Sequence, residues 1–125
     1  MKIATNIAGG LLGLAFIAFS LMVLLHLVTP PPMPPDSMVA IFMSVFAPSG
    51  WLIMVKSCEL IGGILVAIPK TRNFGLLILG PIIINILTFH ILVEKGADIG
   101  VPVFLGCLAA FLLWAERKAF LGLLH

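Results

Sequence analysis

Trp51-Leu-Ile-Met-Val-Lys56-Ser-Cys-Glu59-Leu-Ile-Gly62-Gly63-Ile-Leu-Val-Ala-Ile68 decides the reading of this chain. It is an apolar run long enough for a membrane span, yet it holds an ammonium and a carboxylate three positions apart. A charge inside hydrocarbon costs roughly 2.5–3.5 kcal/mol on insertion scales. The pair therefore needs a reason. Directly after it, Pro69-Lys70-Thr71-Arg72-Asn73 forms a short basic turn. A second apolar run, 74–93, then carries Asn85, Thr88 and His90.

Composition supports lipid as the solvent. The chain has 125 residues, 62% hydrophobic and 10% charged, against about 25% charged in soluble domains. So much apolar surface exceeds what one small core can hide. The length suits four spans and leaves no room for a soluble catalytic domain. The net charge of +2 gives no nucleic-acid signal. Cys58 and Cys107 lie in different spans and form no metal- or redox-type pair, so no metal site is expected.

Four transmembrane helices are expected, at about 3–28, 51–68, 74–93 and 99–115. The first run is too long for a signal-peptide core and lacks a cleavage motif, so it reads as a retained span. Gly9 and Gly13 give it a small-xxx-small face, as Gly106 and Ala110 do in the last span. Ser20 is expected to bond back to its own helix. His26 sits at the far end, as an interfacial anchor or a site residue. The run Thr29-Pro-Pro-Pro-Met-Pro-Pro-Asp36 predicts a stiff polyproline connector. Asp36 or Ser37 should cap a helix over 37–46, too short to span and so interfacial or re-entrant, as a cover or a lid. Gly80-Pro81 should kink the third span. Basic residues place both termini in the cytoplasm, with Lys2, Lys70, Arg72, Arg117 and Lys118 inside and Lys95 outside.

At about 1.5 Å per residue, Glu59 and Asn85 each lie roughly 12 Å below the outer surface, and Lys56 and Thr88 roughly 7 Å. These four side chains are expected at matching heights on a hairpin of the second and third spans. His90 is shallower and points about 140° from Asn85 on a regular helix, where His26 can meet it. Lys56, Glu59, Asn85, Thr88, His90 and His26 thus form the candidate set. Two readings compete: an ion pair that fixes helix register, and a site that binds a polar headgroup or relays protons.

Lys56-x-x-Glu59-Leu-x-Gly62-Gly63, Arg72, and Pro81-x-x-x-Asn85-x-x-x-Phe89-His90 resemble the DoxX-like family of small four-helix integral membrane proteins. The resemblance covers residues 5–118. Lys56, Glu59, Asn85 and His90 match its pattern, and Gly62, Gly63 and Pro81 match structural positions. Gly80 stands where alanine is expected. The resemblance implies an all-α, four-helix transmembrane bundle in a bacterial cytoplasmic membrane. The family's name comes from a subunit associated with a quinone-reducing sulfur oxidoreductase. A redox-associated subunit is therefore expected, with a quinone- or lipid-like ligand in the outer half and Glu59 or His90 handling protons. The chain supplies no redox centre of its own, so electrons come from a membrane oxidoreductase partner or a diffusible cofactor. Two alternatives stand beside it: a non-catalytic binding or assembly protein for a membrane partner, and a small transporter that needs a homo-oligomer.

Overall fold

The computed structural model describes residues 2–27, 34–93, 95–96 and 99–122. Their regular structure is entirely helical: α1 (Lys2–Leu24), α2 (Met38–Phe46), α3 (Trp51–Ala67), α4 (Arg72–Thr88), α5 (Gly100–Ala115) and α6 (Arg117–Leu121). A 3₁₀ turn, Pro69–Thr71, leads into α4, and a π turn, Phe89–Val93, continues it. Two helical segments are long and apolar enough to cross a membrane: α1, and the continuous Pro69–Val93 of 25 residues. Counting α2 and α3 as one broken span makes three, although the two meet at 84°. α5 is apolar but shorter.

The helix ends follow from local chemistry. The Ser37 hydroxyl accepts from the Ala40 N–H at 3.1 Å and starts α2. Gly50 adopts φ 88°, a left-handed conformation that favours glycine, and turns the chain from α2 into α3. α1 ends at Leu24, short of the expected residue 28, because His26 takes φ 55°. Residues 29–33 of the connector expected over 29–36, and the acidic part of the loop at Glu94 and Asp98, lie outside the described residues. α4 stays helical through Pro81. Pro81 sits on the exposed side, so its missing N–H costs no core contact.

Glycines set the packing. α3 lies between α1 and α4, and α5 rests on α1 and α4. A Cβ at Gly13 would come within 2.5 Å of the Gly63 carbonyl, and one at Gly75 within 2.5 Å of the Val66 nitrogen. Such approaches are open only to glycine, and they bring the backbones together as small-residue interfaces do. The core between these helices holds Leu12, Phe16, Val66, Leu79, Ile83 and Leu112. Outward residues are largely apolar, including Ile3 at 77% exposure and Phe74 at 67%.

Candidate functional site

Two charged side chains are buried among the described residues: Glu59 at the middle of α3, 2% exposed, and Arg72 at the start of α4, 3% exposed. Glu59, Gly62, Gly63 and Val66 share one face of α3, the face turned into the core. Lys56, one turn earlier, places Nζ 3.2 Å from Glu59 Oε2 while keeping 20% of its side chain exposed. The sequence thus paired these two correctly. Their contact is incomplete. Oε2 is buried and, despite the 3.2 Å ion pair, no hydrogen bond to it is aligned. The charges attract, but the carboxylate oxygen keeps accepting capacity.

Asn73 Oδ1, next to Arg72, is a second buried oxygen without a hydrogen-bond partner, and Ser20 contributes a third. Its side chain is fully buried and its Oγ has no hydrogen-bond partner. The expected bond back to its own helix does not form. Ser57 and Thr88 do make that bond, to the Ile53 and Ile84 carbonyls at 2.8 Å each. Where Phe16 of α1 meets Gly63 of α3, the helices run antiparallel. One turn further along each lie Ser20 and Glu59, so these two orphan oxygens stand at the same level on facing helices.

Asn85 and Thr88 do not join this pair, contrary to the expected polar wall. Both are exposed, on the side of α4 opposite Ile83. The expected heights also shift. Gly75 packs on Val66 and Gly62 packs on Leu79; carried along the antiparallel pair, that register sets Asn85 level with Lys56, one turn from Glu59. Depths counted from the ends of apolar runs miss this, because the glycine contacts fix the register and the run ends do not share one height.

His90 lies half-buried in the π turn. The Phe89 ring packs against Phe42 of α2 at 5.0 Å and edge-on to His90 at 5.7 Å. α2 therefore rests on the α3–α4 end that holds the lysine–glutamate pair. His26 is exposed just past α1 and is not brought to the pair. Cys58 and Cys107 are free thiols. They sit on α3 and α5, which do not pack side by side as a disulfide requires.

Arg72 was legible only as a topology residue. In the structure Nε donates to the Val66 carbonyl at 3.0 Å and Nη1 to Asn6 Oδ1 at 3.0 Å. The guanidinium lies over Gly9, where a Cβ would come 2.6 Å from Cζ. It ties α1, the end of α3 and the start of α4 together. The signal was Asn6-x-x-Gly9: an amide acceptor one turn from a residue without a side chain. Two surface cavities, of about 360 and 260 Å³, lie near α6, and neither is lined by Lys56 or Glu59.

No family model matches the chain. It is similar to YwoB, an uncharacterised protein of Bacillus subtilis, with 33% identity over 66 residues. That alignment covers 52% of this chain and 42% of YwoB, so it spans less than half of that relative. No solved structure matches.

Proposed function

We propose that this chain is a four-span, multi-pass protein of the DoxX-like kind in a bacterial cytoplasmic membrane, with both termini on the cytoplasmic side. We further propose that it acts as a redox-associated subunit. Lys56 and Glu59 then receive the polar head of a quinone- or lipid-like ligand in the outer half. The observation that carries the reading is the pair of buried, unsatisfied oxygens, Glu59 Oε2 and Ser20 Oγ, beside the half-buried Lys56 ammonium. Buried polar groups are normally hydrogen-bonded, and a buried ion pair by itself adds little stability. In the reduced head a hydroxyl donates to Glu59 and accepts from Ser20; in the oxidised head the same oxygen, now a carbonyl, accepts from Ser20 or Lys56. This donor and acceptor set fits a quinone–quinol head. Reduction of a quinone takes two electrons and two protons; Glu59 and Lys56 serve the protons, and a partner supplies the electrons.

The test uses Trp51, five residues before Lys56 and about 7.5 Å along the helix. A short-tailed benzoquinone is titrated into the detergent-solubilised protein while tryptophan fluorescence is read. Saturable quenching that disappears in Trp51→Phe and weakens roughly tenfold in Glu59→Gln supports the reading, since one charge-assisted hydrogen bond is worth about 1.5–3 kcal/mol. Equal quenching of wild type and Glu59→Gln refutes it.

The assembly reading is favoured by a different observation. The glycine-packed core is tight around Gly13 and Gly63, while polar side chains on α4 face outward. On that reading a stably copurifying membrane protein replaces the small ligand.

A further inference from the structure

The outward face of α4 carries two hydrogen-bonding deficits within a largely apolar surface. Asn85 is exposed, and its amide has no partner among the described residues. Pro81, on the same face and one turn back, brings no N–H to the Leu77 carbonyl. Leu77 is 49% exposed and Ile84 is 66% exposed, so both deficits sit in an open apolar stripe. The Thr88 hydroxyl, by contrast, is already used by the Ile84 carbonyl. Asn85 lies eight residues from Val93, the end of the apolar segment, or about 12 Å in from it. On the membrane reading, on which this inference rests, an uncovered amide stands inside hydrocarbon, where water is absent and each unsatisfied polar group is costly.

We infer that this face binds a second copy of the chain, with the two Asn85 side chains hydrogen-bonded to each other across a two-fold axis. An amide carries both a donor and an acceptor, so it is its own complement. A two-fold axis along the membrane normal brings the same face of both copies together and sets both Asn85 residues at one height by symmetry. Each NH₂ then donates to the other's carbonyl oxygen. A different protein would have to supply a matching polar group at that depth; a second copy always does. Gly80 on the flank of the stripe has open space where a Cβ would be, which leaves room for a close helix approach. The surface is distinct from the lysine–glutamate pair, which faces the core.

The experiment is energy transfer between donor- and acceptor-labelled full-length protein in liposomes, read as lipid dilutes the protein. Wild type is expected to show a dimer. Asn85→Leu should weaken it about tenfold, the loss expected for interhelical amide bonds of this kind. Asn85→Gln, which keeps the amide, should retain most of the association. The side chain is exposed and makes no hydrogen bond among the described residues, so the thermal unfolding of Asn85→Leu should match that of wild type. A wild type that stays monomeric, an Asn85→Leu dimer as tight as wild type, or association only with a different copurified protein overturns the inference. Alkaline carbonate extraction separates this from failure of the membrane reading. Release of the chain without detergent refutes the membrane reading, whereas a retained but monomeric chain refutes only the dimer.

Discussion

Arg72 and Glu59 are equally buried, yet the chain treats them differently. Arg72 spends two of its donors on well-placed oxygens, the Val66 carbonyl and Asn6 Oδ1, and fills a notch above Gly9. Glu59 has a lysine at 3.2 Å but no aligned bond to Oε2, and Ser20, whose Oγ has no hydrogen-bond partner, lies at its level on α1. A buried charge with well-aligned partners on neighbouring helices holds a fold together. A buried charge left with spare capacity keeps the capacity to bind something. The α6 end is thus a clasp, and the α2 end is the candidate site, with α2 resting on Phe89 beside it.

Removing the clasp should do the most damage. Arg72→Ala strips the partners from Val66 and Asn6 and opens a void, at a cost of about 3–4 kcal/mol. Thermal unfolding in mild detergent should show it, with Arg72→Lys intermediate because one ammonium cannot reproduce the fork. A near-normal melting temperature for Arg72→Ala would erase the contrast between the two ends.

The lysine–glutamate pair should respond to how it is broken. Glu59→Ala leaves Lys56 without its counter-charge and should cost about 2–3 kcal/mol, while the Lys56→Met, Glu59→Leu double change should cost less than about 1 kcal/mol. Equal melting temperatures for both would refute the ion-pair account. Ser20→Ala should have the smallest effect, within about 0.5 kcal/mol of wild type or slightly stabilising, since it deletes a buried hydroxyl that bonds to nothing. A loss above about 1.5 kcal/mol would mean that Ser20 has a structural partner.

The helices were legible because apolar run length and Pro or Gly punctuation carry most of the signal. Pro48-Ser49-Gly50 marked the corner between α2 and α3, and Ser37 marked a helix start. The Lys56–Glu59 pairing was legible because i,i+3 spacing is a property of one helix. What failed depended on two helices at once. Asn85 was set level with Glu59 by counting from span ends, whereas Gly62 on Leu79 fixes the register. The outward turn of Asn85 and Thr88 follows from Gly75, Leu79 and Ile83 owning the inner face of α4. Arg72 was read only as a basic residue on the cytoplasmic side because nothing local shows that Asn6 and Gly9, 66 and 63 positions away, will receive it.

The most direct test of the contrast is native mass spectrometry of the full-length protein extracted in mild detergent, comparing wild type, Glu59→Gln and Arg72→Lys. A small molecule bound to wild type, retained by folded Arg72→Lys and lost from Glu59→Gln, is the predicted result. Bare protein in all three, or a ligand that survives Glu59→Gln, would contradict the account and leave Lys56 and Glu59 as a register pair.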